Sequence, residues 1–166
     1  MLQGQYAEAD YLLRESIALF REIDDRWHVA QVINALGAAR LAVDQVAEAR
    51  RCFQEALEIA LAAHALPIVL EALVGLASII ARDAEPESAA RVLAFVIEQP
   101  ACSAQVRERA VAQKRELAAS LPLEYALAAE QAAGALTVET AIELVREPDW
   151  VALSLGRHSL LAQCLG

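Results

Sequence analysis

Aromatic side chains make up only 5% of this 166-residue chain, although hydrophobic residues make up 57%. β-sandwiches and barrels draw on aromatic and β-branched residues, so the shortage weighs against both. Lysine is nearly missing as well: Lys114 stands beside 13 arginines, and 23 acidic residues leave a net charge of −9. Binding phosphate takes clustered bases. The densest group, Arg107, Arg109, Lys114 and Arg115, is interleaved with Glu108 and Glu116, so no direct contact with nucleic acid is expected. Glycine (6) and proline (5) are too few for a collagen-like or low-complexity chain. Cys52, Cys102 and Cys164 form no C-x-x-C, which excludes a zinc ribbon or thioredoxin-like site and fits a reducing cytoplasm. Met-Leu-Gln-Gly-Gln-Tyr lacks the basic start and apolar run of a signal peptide.

The chain is instead rich in 37 alanines and 24 leucines, the best helix formers. An all-α protein is expected, with an acidic shell that keeps an apolar sequence in solution. From Ile59 to Ala81 only Glu71 is charged. Pro67 and Glu71 sit near the middle of this run and His64 interrupts it, so it reads as two buried helices meeting at Pro67 rather than as a membrane span.

Compared with itself at an offset of forty residues, the sequence repeats. Ala9, Ala49 and Ala89 share a column, as do Leu13, Phe53 and Leu93, then Ser16, Ala56 and Val96, then Leu12, Cys52 and Val92. Leu36-Gly37 falls on Leu76-Ala77, and Trp27 falls on Pro67 where a helix should begin. Gly4, Asp44 and Ala84 align just ahead of a helix, with Gly4-Gln5-Tyr6 reading as the middle turn of a hairpin. Ala49, Phe53, Ala56, Leu57 and Ala60 lie on one helix face. Small residues at 37, 49, 77 and 89 allow close helix approach, with Phe53 and Leu93 filling the space between. Each unit is then a helical hairpin that must stack on a neighbour to bury its apolar face.

Breakers and caps place helices near 5–23, 26–42, 45–63, 67–82, 86–98, 103–119, 122–133 and 138–147. Asp25, Asp44, Ser103 and Thr137 are candidate N-caps, and Pro67, Pro86 and Pro122 suit first turns. The expected organisation is a helical repeat domain over 1–147, with units of about 1–24, 25–64 and 65–100 and degenerate closing helices over 101–147. A tail over 148–166 carries Trp150, Leu160 and Leu161.

The spacing of Leu36, Gly37, Ala49, Phe53 and Ala56 resembles a tetratricopeptide repeat, with a period of forty in place of the usual ~34. The resemblance implies a right-handed α-α superhelix. Residues 72–77 and 85–93, followed by Leu136–Ala141, resemble the end of the repeat region in large bacterial ATP-binding regulators of the LuxR type. There, repeats follow a nucleotide-switch ATPase and often precede a DNA-binding helix-turn-helix.

No G-x-x-x-x-G-K-[ST], G-x-G-x-x-G, H-E-x-x-H or G-x-S-x-G occurs in the chain. Neither a catalytic site nor a cofactor nor a metal is expected. His28, His64 and His158 are isolated, and structural roles suit them. Cys52 reads as a buried small hydrophobe. Cys102, in the turn 99–103, reads as a thiol that could be exposed, and an enzymatic reading would rest on it alone. By the resemblance, a concave face would present Gln31, Asn34, Ala38, Leu41, Glu71, Val74, Ser78 and Arg82 to a protein or peptide. The expected function is non-catalytic protein interaction or ligand sensing within an ATP-dependent transcriptional regulator. The alternative is a stand-alone peptide- or protein-binding adaptor unrelated to transcription. The first helix, with Tyr6, Leu12, Leu13, Ile17, Phe20 and Ile23, lacks an earlier partner and is expected to leave an apolar end face open to self-association.

Overall fold

Helices follow one another at a fixed step. The computed structural model describes residues 2–83, 85–120 and 134–146, and all regular structure among them is helical. The helices are α1 (Leu2–Glu22), α2 (Arg26–Ala42), α3 (Val46–Ala62), α4 (Leu66–Arg82), α5 (Pro86–Glu98), α6 (Ala104–Ser120) and α7 (Val138–Leu144). The expected helix at 122–133, the tail with Trp150, Leu160 and Leu161, and also Pro122, His158 and Cys164 lie outside the described residues. Two compact units divide the chain, Met1–Gly75 and Leu76–Gly166. Among the described residues no helix is long and apolar enough to cross a membrane.

From α2 to α5 the helices begin at 26, 46, 66 and 86, a step of twenty. The apolar core follows the same step. Val29, Ala49, Val69 and Ala89 are buried, as are Ile33, Phe53, Leu73 and Leu93, then Leu36, Ala56, Leu76 and Val96. Within each helix these positions are four and three residues apart, one face of the cylinder. The forty-residue repeat is therefore two helices long, and both helices of a hairpin bury the same register.

The joints explain the constancy of the step. Asp24, Asp44 and His64, also twenty apart, adopt left-handed backbone with φ of 53°, 63° and 53°. At each joint two backbone hydrogen bonds close the helix end: Asp25 N–H to Phe20 C=O at 2.9 Å with Asp24 N–H to Arg21 C=O at 3.2 Å, then Gln45 to Arg40 and Asp44 to Leu41, then Ala65 to Ala60 and His64 to Leu61. This pairing is the Schellman motif, which satisfies the last carbonyls of a helix and turns the chain in three residues. Helices in contact across so short a joint run antiparallel. Asp44 is thus not the N-cap expected from sequence: it ends α2, and Gln45 occupies the cap position of α3 without a side-chain hydrogen bond. Gly4-Gln5-Tyr6 is likewise not a turn, since α1 runs through it.

Glycine usually holds such a left-handed position, because any Cβ there is penalised by about 1–2 kcal/mol while glycine loses roughly 0.5–1 kcal/mol in chain entropy. His64→Gly is therefore expected to raise stability by up to about 1 kcal/mol, or about 2–4 °C in Tm. His64→Val should lower it. Thermal melts of the two variants in opposite directions would confirm the strain; a neutral His64→Gly would refute it.

In the first unit, Ile17 of α1, Val29, Ile33 and Leu36 of α2, and Cys52 and Ala56 of α3 form one cluster, with Leu13, Phe20, Val32 and Ile59 packed against it. The Phe53 ring packs against the glycines of two helices. A Cβ on Gly37 would lie 2.9 Å from its Cε1, and one on Gly75 only 2.4 Å away. In the second unit, α5 contacts α6 and α7, and Val92, Leu93, Phe95, Val96, Val106, Ala110, Ala141 and Ile142 are buried.

Several caps match the sequence reading. The Asp25 carboxylate accepts from His28 N–H at 3.1 Å, Ser103 Oγ accepts from Val106 N–H at 3.3 Å, and Thr137 forms a reciprocal capping box with Thr140. Pro86 opens α5. Pro67 and Trp27 are both second residues of their helices. His28 also donates from Nδ1 to the second Asp25 oxygen at 2.6 Å, stacks on Phe20 and meets Trp27 edge-on. Structural roles thus account for this histidine.

The backbone N–H and ring of His28 hold the Asp25 carboxyl below the usual carboxylate range. Burial raises Asp10, but hydrogen bonds from Arg14 and Arg40 and their charges outweigh it and leave it lowered too. Asp10 thereby ties α1 to α2, 2.9 Å from the Arg40 guanidinium. A carboxyl with a depressed folded pKa stabilises the protein above its unfolded value, and that contribution disappears as pH falls through the folded one. Tm is therefore expected to drop as pH is lowered below the ordinary aspartate range. Asp25→Asn, which can still cap, should flatten that acid limb; an unchanged limb in pH-dependent melts would argue against the Asp25 contribution.

Candidate functional site

Of the eight residues expected on a binding face, two cannot serve as surface. Asn34 is 1% exposed. Its Nδ2 donates to the Ile68 carbonyl at 3.1 Å, stapling α2 to the first turn of α4, while Oδ1 is buried without a hydrogen-bond partner. Val74 is fully buried. Both depart from the face that the resemblance implied. Gln31 is exposed, and Ala38, Leu41 and Glu71 are half-buried. Gln31, Ala38 and Leu41 lie three, four and seven residues from Asn34, on the same side of α2 as that staple. In the second unit Ser78 is half-buried and Arg82 is exposed at the end of α4.

In the first unit this strip has mixed polarity, with Glu71 its one charged residue. Among the described residues no group of three His, Cys, Asp or Glu side chains could hold a metal. A hollow of about 420 Å³ runs along α6, lined by Ala104, Arg107, Glu108, Val111, Ala112 and Arg115. All of these belong to one helix, and Arg107 already donates to the carbonyls of Ile97 and Gln99 at 3.1 and 2.9 Å, capping α5.

Comparison of the chain with family models, with curated proteins and with solved structures finds no match.

Cys102 departs from the expectation of an exposed thiol. It is 6% exposed, its Sγ donates to the Ser103 carbonyl at 3.6 Å, and desolvation pushes the thiol up despite Arg107 and Arg109 nearby. Nucleophilic cysteines need the opposite shift. Cys52 is buried in the core with its thiol also raised by burial.

Sequence reasoning missed two features of this region. The first is Gly75, whose role depends on a ring 22 residues away. The second is an ion pair between successive odd-numbered helices: Arg21 of α1 reaches Glu55 of α3 at 2.8 Å. The repeat carries no signal for the second, because Arg21 shares its forty-residue column with Leu61.

Proposed function

We propose that this chain is a non-catalytic helical-repeat module, a tetratricopeptide-like superhelix that binds a protein or peptide partner. The supporting observation is the twenty-residue step shared by helix starts, left-handed joints and buried columns. Units of that kind stack through one repeated register and leave the remaining helix faces available as a continuous surface. In the first unit that surface includes Gln31, Ala38, Leu41 and Glu71. The raised thiol of buried Cys102 favours binding over nucleophilic chemistry, and the free, buried Cys52 and Cys102 suit a reducing compartment. The resemblance of residues 72–77, 85–93 and 136–141 to LuxR-type regulators is the sole support for a transcriptional setting. In that setting, partner occupancy would shift a balance between conformations of an attached ATPase.

Affinity capture from the source cells with the wild-type chain, Gln31→Arg and Glu71→Arg, read by mass spectrometry, tests the reading. One or more proteins held by the wild type should be lost from both variants. An identical set of captured proteins for all three would dismiss this strip. Co-capture of a P-loop ATPase would support the regulator setting, and its absence among specific partners would favour a stand-alone adaptor.

A further inference from the structure

The outer side of α1 carries an apolar stripe that the rest of the first unit leaves open. Leu12, Leu19 and Ile23 are 53%, 62% and 70% exposed. Beside them runs an acidic row, Glu8, Glu15 and Glu22, seven residues apart and exposed throughout. Glu15 also accepts the Tyr11 hydroxyl at 2.5 Å.

The repeat supplies a filled copy of this arrangement forty residues later. The α3 counterparts of Leu12, Ser16 and Leu19 are Cys52, Ala56 and Ile59, and they are covered: Cys52 and Ala56 are buried, and Ile59 packs on the same cluster. From α1, the cover is the row Leu13, Ile17 and Phe20, with α2 alongside. The counterpart of Glu15 is Glu55, which takes the guanidinium of Arg21. The cover on α3 therefore combines α2, its main neighbour, with an edge contributed by α1, a helix with apolar residues at i, i+4 and i+7 and arginine at i+8.

We infer that the outer face of α1 docks an amphipathic helix of another polypeptide with this same chemistry, its apolar row on Leu12 and Leu19 and its basic residue on Glu15. A second copy of α1 fits less well. In an antiparallel pair like flanks meet, and the two glutamate rows would repel. In a parallel pair the row would meet the flank bearing Ala9, Ser16 and Phe20, which offers no cation. The inference rests on reading the chain as an interaction module, but it concerns α1 alone, so the capture experiment with Gln31 and Glu71 variants can fail or succeed independently of it.

The probe is a fluorescein-labelled synthetic peptide of residues 5–24, the helix whose Arg21 already pairs with Glu55, titrated against the full chain by fluorescence anisotropy. Saturable binding is expected, weakened about tenfold or more by Leu12→Asp with Leu19→Asp in the protein, as for loss of central apolar anchors. An Arg21→Glu peptide should bind severalfold more weakly to the wild type and recover on Glu15→Arg protein. The protein variants alter exposed positions, and circular dichroism checks that they fold. Absence of saturable binding would overturn the inference. So would binding indifferent to the α1 variants, which would mean that the peptide merely replaces α1 on its own core. Light scattering that shows a dimer abolished by Leu19→Asp would assign the face to a second copy and overturn it equally.

Discussion

Truncating Phe53 to alanine is expected to lower the stability of the fold by about 3–5 kcal/mol, the range for removing a buried aromatic ring from a core that can only partly collapse. The ring is 3% exposed and occupies the position where the backbones of α2 and α4 draw in, at Gly37 and Gly75. Neither glycine has a side chain that could swing into the vacated space, so the cavity should persist. Because a domain of this size is stable by only about 5–15 kcal/mol, the loss should be plain in urea denaturation followed by circular dichroism. Phe53→Leu keeps most of the volume and should lose less than about 1.5 kcal/mol. A Phe53→Ala midpoint close to the wild type would mean that the ring is not what the first unit is built around.

Gly75→Ala is expected to act through the same ring with a sign that depends on it. Mid-helix glycine is less favourable than alanine by about 1 kcal/mol, so propensity alone predicts stabilisation. Against that, the new Cβ would meet Phe53 at 2.4, 2.5 and 2.7 Å, and forcing a methyl into a filled core costs about 1–3 kcal/mol or more. We expect a net loss of about 1–2 kcal/mol. In a Phe53→Leu background the clash is relieved, propensity should dominate and Gly75→Ala should become neutral or stabilising. Gly37→Ala, with contacts of 2.9–3.1 Å, should lie nearer to break-even. A double-mutant cycle measures the coupling directly; additive effects of Gly75→Ala and Phe53→Leu would show that the two do not meet as described.

Helix positions were legible because their signals are local. Asp25, Ser103 and Thr137 cap where the hydroxyl or carboxylate precedes an apolar run, and Pro86 can only start a helix. The forty-residue repeat was legible in its apolar columns. Its division into two steps of twenty was not, because Asp24, Asp44 and His64 are related only by backbone conformation, and acidic residues before a helix look like caps. The binding strip was legible in part. Gln31, Ala38, Leu41 and Glu71 retain surface, but Asn34 turned inward because its partner is a carbonyl 34 residues along the chain, and helical register alone does not tell a polar residue on the seam from one beyond it. Val74 is likewise lost to the surface, within residues 72–77, a run that is buried throughout. Cys102 was misread because a proline-containing turn suggests exposure, whereas the residue is 6% exposed with Arg107 of α6 beside its thiol.

The equal joints also govern how such a chain can lengthen or shorten. Removing residues 26–65 would connect Asp25 directly to Leu66, and the same three-residue joint, Ile23-Asp24-Asp25, would then lead into α4 instead of α2. Removing twenty residues would keep a joint of the right length but exchange the two helices of the hairpin, setting glycine-bearing faces where ring-bearing ones belong. Gain or loss of material within 26–82 is therefore tolerated in whole hairpins, so that duplication by forty, rather than drift in helix length, is the natural way for this architecture to grow.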